Sequence, residues 1–99
     1  MTVRSDDELF ALQRVGRVVA RTLDVMEALV AAGVTTADLD AEAARVASAE
    51  GARSAPQLTY GFPGFTCISV NEQVVHGVPG PYVIQPGDIV KLDVTLELD

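Results

Sequence analysis

The chain has 99 residues, seven basic and fourteen acidic side chains, one histidine and a formal net charge of −7. That length gives one domain with a modest core, since a chain this small buries roughly two-thirds of its unfolded surface. An apolar fraction of 48% with 21% charged residues argues for a folded globular chain, and the acidic balance with scattered Lys and Arg argues against a nucleic-acid partner.

Cys67 is the single cysteine, so an internal disulfide framework is ruled out and a reducing, cytoplasmic compartment is expected. The opening MTVRSDDELF lacks a basic head leading into an apolar run, so no signal peptide is expected. Arg and Asp interrupt every apolar stretch before it reaches the ~18–20 residues of a membrane helix, which leaves no membrane partner expected.

In chain order, Ser5 followed by Asp6, Asp7 and Glu8 reads as a capping box. Leu12, Val15, Val19, Leu23, Met26 and Val30 recur every three or four residues and predict a helix with one apolar stripe, stopping at Gly33. Thr35, Thr36 and Asp38 start a second, alanine-rich helix whose weaker stripe is Leu39, Ala43, Val46 and Ala47, with Gly51 as its stop. Composition then changes: all five prolines and four of the five aromatics lie between Pro56 and Gly87. Phe65 to Val70 carries strand formers, Asn71-Glu72-Gln73 breaks it, and Val74 and Val75 resume it. Pro79-Gly80-Pro81 and Pro86-Gly87-Asp88 are turns. From Ile89 onward the alternation predicts a single strand, with Val90, Leu92, Val94, Leu96 and Leu98 on one face and Lys91, Asp93, Thr95, Glu97 and Asp99 on the other. The order helix, helix, strands predicts an α+β fold with two helices packed on one mostly antiparallel sheet.

Each candidate for chemistry has a plain structural reading. His76, the only histidine, precedes Gly77 in a turn-rich stretch, where most histidines are simply solvated; its attraction is that imidazole can donate or accept near neutral pH. Asp93 lies on the polar face of its strand, which either meets water or offers a hard ligand to a divalent cation. Cys67 reads as a small buried strand residue with no basic neighbour to activate it. Phe62 is core or pocket wall, and Asp88 is a turn acid able to bond the local backbone.

Taken together, Gly33-Val34-Thr35-Thr36, the Gly61-Phe62-Pro63 turn, Cys67-Ile68-Ser69-Val70-Asn71-Glu72, Val75-His76-Gly77-Val78-Pro79 and Gly87-Asp88-Ile89-Val90-Lys91-Leu92-Asp93-Val94 resemble the type I methionine aminopeptidases of the pita-bread metallopeptidase superfamily. The resemblance implies an α+β N-terminal half of a pita-bread fold and makes residues 1–99 an N-terminal part of such a catalytic domain, incomplete at its C-terminal side. It implies two divalent ions (Co, Mn, Fe or Zn) held by two aspartates, one histidine and two glutamates, of which Asp93 matches the first aspartate. By the same resemblance His76 is a catalytic residue that hydrogen-bonds the reacting amide region, and Cys67 and Phe62 line the methionine pocket. Thr95 is a supporting hydroxyl beside the ligand strand, and Asn71 matches a carbonyl that helps hold a monovalent ion in some members. The remaining metal ligands are not in this sequence, so the expectation is an inactive part of an enzyme that removes initiator methionine from nascent chains. Its implied partners are peptides with N-terminal Met and the C-terminal half. The alternatives are a non-catalytic pita-bread binding module and one half of a split enzyme.

Overall fold

The computed structural model describes residues 6–71 and 77–98. Helix α1 (Asp6–Leu29) and helix α2 (Thr36–Ala49) are followed by β1 (Arg53–Ser54), a short helix α3 (Ala55–Tyr60), β2 (Cys67–Val70), β3 (Val90–Asp93) and β4 (Leu96–Glu97). Helices and antiparallel strands in segregated order make this an α+β fold, as expected. Ser5, Glu72, Val74, Val75, His76 and Asp99 lie outside the described residues.

Helix α1 departs from its expected stripe. Its buried line is Val18, Thr22 and Met26, whereas Leu12 is exposed and Val15, Val19, Leu23 and Val30 are half-buried. The buried residues are spaced by four and face α2, whose own buried line of Leu39, Ala43 and Ala47 supplies the small side chains that let the two helices approach closely. Thr22 is tolerated there because its hydroxyl donates to the Val18 carbonyl at 2.8 Å. The helix also stops earlier than expected, at Leu29. Gly33, with φ +95°, carries the connection onward and donates its N–H to the Ile84 carbonyl at 2.9 Å.

Helix α2 starts and stops as its sequence signals. The Thr35 hydroxyl accepts from the Asp38 N–H, and the Asp38 carboxylate accepts from the Thr35 N–H, both at 3.1 Å, closing a capping box worth about 1 kcal/mol. At the other end Gly51 (φ +79°) donates to the Ser48 carbonyl and Ala52 donates to the Ala47 carbonyl, a Schellman closure. The Pro79-Gly80-Pro81 turn docks on the start of this helix. The Gly80 carbonyl accepts from the Ala37 N–H at 3.0 Å, and the Gly80 N–H donates to the Thr36 hydroxyl at 2.9 Å.

The single sheet expected from the sequence is instead two two-stranded antiparallel ribbons, β1–β4 and β2–β3. The run from Ile89 keeps its alternation throughout, with Val90, Leu92, Val94, Leu96 and Leu98 inward and Lys91, Asp93, Thr95 and Glu97 exposed. Its pairing, however, changes partner. β3 pairs with β2 in the register Cys67↔Asp93 to Val70↔Val90, and two residues later β4 pairs with β1 as Arg53↔Glu97 and Ser54↔Leu96. Side-chain alternation reports faces, and it cannot report a change of neighbour along the same strand. The core under both ribbons is Val18, Met26, Leu39, Ala43, Ala47, Ala52, Phe65, Ile68, Ile84 and Leu96.

Candidate active site

Helix α3 was not expected from periodicity, because six residues make less than two turns. Its boundaries are nevertheless written locally. The Ser54 hydroxyl accepts from the Gln57 N–H at 3.3 Å, Pro56 sits in the first turn, and Gly61 in a left-handed conformation (φ +63°) ends the helix. Ser54 is fully buried and also donates to the Phe65 carbonyl at 2.7 Å, tying the helix start to the chain that leads into β2.

Between α3 and the β2–β3 ribbon lies an open, mostly apolar cleft of about 820 Å³. Ala55, Pro56 and Thr59 of α3 form one wall, and Phe62, Cys67, Asp93 and Thr95 form the rest. Four of the expected site residues therefore meet in one place, and the three from α3 are additions. Cys67 and Asp93 are direct cross-strand partners, so their side chains stand side by side on the same face of the ribbon, with Thr95 two residues further along. The Thr95 carbonyl accepts from the Ala55 N–H at 3.0 Å, which fixes the start of α3 beside the strand carrying Asp93. His76 lies outside the described residues.

The electrostatics set Cys67 apart from a nucleophile. Its thiol is pushed above the ordinary range, first by burial and then by the negative charges of Asp93 and Asp40. It is therefore neutral and soft at neutral pH, a surface for contact with another soft group.

Asp40 is the residue that the sequence reading missed. From α2 its carboxylate accepts from the Phe65 N–H at 3.0 Å, the Thr66 N–H at 2.7 Å and the Thr66 hydroxyl at 2.6 Å. These bonds orient the backbone immediately before Cys67 and explain why β2 begins at Cys67 rather than Phe65. The available signal was position alone, since Asp40 borders the Leu39–Ala43–Ala47 line that packs inward.

Asn71 and Asp88 define the far end of the ribbon. Asn71 adopts φ +57°, its amide donates to Asp88 at 3.0 Å, and its side-chain oxygen accepts from the Ile89 N–H at 2.9 Å. Asp88 also accepts from the Gln85 N–H at 2.8 Å and the Tyr82 hydroxyl at 2.7 Å, the local turn bonding expected of it. These bonds hold its carboxyl below, and the Tyr82 phenol above, their ordinary ranges. The Asn71 side chain thus serves the turn.

Asp93 is exposed on the cleft and offers the oxygen donor that a hard divalent ion takes. Among the described residues no three His, Cys, Asp or Glu side chains gather into a metal-binding group. Among them also, no helix is long and apolar enough to cross a membrane.

Known proteins match this chain over nearly its whole length. It is 47% identical over 95 residues to a methionine aminopeptidase of Staphylococcus epidermidis, covering 96% of this chain and 38% of that protein. It is 42% identical over 98 residues to methionine aminopeptidase 2 of Bacillus subtilis, covering 98% of this chain and 39% of the relative. The crystal structure of methionine aminopeptidase from Rickettsia prowazekii superposes with a TM-score of 0.87 at 32% identity, over 97% of this chain and 39% of that one. The chain thus spans less than two-fifths of the length of these relatives, and its helices and ribbons form part of a pita-bread fold. With the family model for metallopeptidase family M24 matching residues 11–99, and methionine aminopeptidases among its relatives in both sequence and structure, the chain belongs to that family.

Proposed function

We propose that residues 1–99 form the N-terminal part of a metalloaminopeptidase domain that removes the initiator methionine from nascent proteins in the cytoplasm, and that this stretch is inert by itself. The observation that carries the reading is the meeting of Phe62, Cys67 and Asp93 in one cleft: an apolar wall with a soft sulfur beside a hard carboxylate. A methionine side chain is long, apolar and polarisable, and thioether contacts with an aromatic ring contribute about 0.3–1.5 kcal/mol. Keeping Cys67 protonated keeps that wall uncharged.

Asp93 is a fitting donor for a divalent ion, and we assign it as one ligand of a two-ion centre whose other ligands come from outside residues 1–99. In such a centre metal chemistry supplies an activated water and a polarised scissile carbonyl. Within this chain, Thr95 would orient the Asp93 carboxylate, and His76 would donate to the reacting carbonyl and steady its developing charge.

The test joins this chain to the part of the Staphylococcus epidermidis relative that lies beyond the matched stretch, and follows methionine release from Met-Ala-Ser. The expected result is metal-dependent release by the hybrid, a loss of at least about 100-fold on Asp93→Asn, and no release by the 99-residue chain alone. A folded hybrid without activity, or robust release by the chain alone, would overturn the reading.

A further inference from the structure

Two walls of the cleft end on one buried peptide group. Ser54 caps α3 and immediately precedes Ala55 and Pro56, while Thr66 immediately precedes Cys67. The Phe65–Thr66 peptide joins them. Its carbonyl accepts from the Ser54 hydroxyl at 2.7 Å, and its N–H donates to the Asp40 carboxylate at 2.7 Å. A planar unit gripped at both its oxygen and its hydrogen cannot turn without breaking one of those bonds. Ser54 and Thr66 are 2% and 1% exposed, so a bond broken there is not simply exchanged for one to water.

The grip reaches both walls. The Ser54 oxygen also accepts from the Gln57 N–H inside α3 at 3.3 Å. Asp40 holds the Phe65 N–H at 3.0 Å and the Thr66 hydroxyl at 2.6 Å as well, which anchors the peptide to α2. Its acceptor carries a full charge, and a charge at one end of a peptide strengthens the hydrogen bond at the other. Asp40, Ser54 and Thr66 stand behind the residues that line the cleft. The wall that α3 presents is Ala55, Pro56 and Thr59, side chains with little or no rotamer freedom. The width of the cleft is therefore set by where the helix stands, and not by a side chain that can swing aside.

We infer that Asp40 and Ser54 are positioning residues that fix the spacing between α3 and β2 and so make the cleft select an unbranched side chain over a branched one, an assignment that rests on the proposed methionine release.

The test uses the same hybrid and compares kcat/KM for Met-Ala-Ser, Leu-Ala-Ser and norleucine-Ala-Ser. Methionine and leucine side chains have equal numbers of heavy atoms and differ in branching; norleucine is unbranched and lacks sulfur. A ratio between two substrates in one preparation does not depend on the fraction folded, so lost stability alone leaves it unmoved. Asp40→Asn and Ser54→Ala should each lower the Met-to-Leu ratio about tenfold while the Met-to-norleucine ratio holds. The double variant should fall no further than either single one, because either cut frees the same peptide. Thr22→Val, which removes a buried bond within α1, should lower stability and change neither ratio. A Met-to-Leu ratio unmoved in either single variant, a multiplied loss in the double one, or an equal fall in Thr22→Val would overturn the inference and leave the proposed activity standing. A matching fall in the Met-to-norleucine ratio would also overturn it, because the sulfur contact and not the width would then have changed. A folded parent hybrid that releases no methionine overturns the proposed activity and this selectivity with it.

Discussion

Asp40 accepts from three donors, the Phe65 and Thr66 amides and the Thr66 hydroxyl. Thr66 is 1% exposed, so Asp40→Ala would strand polar groups away from water. We expect a loss of about 3 kcal/mol in urea unfolding, with Asp40→Asn losing less because its carbonyl can still accept. One position further along the chain, Cys67 should react with iodoacetamide only at a pH above that of an ordinary thiol. Burial and its two acidic neighbours favour the protonated form, and alkylation needs the thiolate. Asp93→Asn removes one of the repelling charges and should move the midpoint of the alkylation–pH curve downward, leaving the larger contribution of burial in place. A midpoint at or below that of a free thiol would contradict this account. Phe62, Cys67, Asp93 and Thr95, which line one cleft, could be singled out from local motifs, because each lies in or directly beside a short stretch with a family pattern. Asp40 could not, since its partners are 25 and 26 residues away and nothing in its own helix announces them.

Gly77 shows how an element depends on a missing side chain. A Cβ at this position would lie 2.0 Å from the Ile68 carbonyl oxygen and 2.3 Å from its carbon, both backbone atoms of β2 held in place by its pairing with β3. Gly77→Ala should therefore cost about 3 kcal/mol, and it should expose the Ile68 amide to exchange by breaking the bond to the Gly77 carbonyl. A stable alanine variant with a protected Ile68 amide would show that the segment has more freedom than this packing allows. The elements were unevenly legible. Helix α2 was readable at both ends, because Thr35, Asp38 and Gly51 satisfy its terminal groups through neighbours in sequence. Helix α1 was readable as a helix but not in its buried line, since its apolar arc is broad and only α2 decides which part is covered. The six-residue α3 carries its cap, proline and glycine but no period.

At the scale of the molecule, α1 and α2 are joined by a short connection, whereas both ribbons join distant parts of the chain, and the clamp of Thr36 on Gly80 spans 44 residues. The α+β class was legible because the order of elements is written in composition. The division into two ribbons was not, because pairing partners are chosen by packing far along the chain. Their separation also determines what each ribbon experiences when the other fails. β3 and β4 share one backbone, but Val94 and Thr95 between them pair with neither ribbon as strand.

Tension applied through residues beyond β4, with the chain held at α1, reaches the two residue pairs of β1–β4 first. The four pairs of β2–β3 come under load only after those two have parted. β4 is therefore a mechanical fuse for the strand that carries Asp93. Optical-trap extension should record a small, low-force release before the main rupture, and Leu96→Ala should lower the first event while leaving the second where it was. In a chain drawn out from its far end, the Cys67–Asp93 pairing would outlast the wall that Thr95 holds against Ala55.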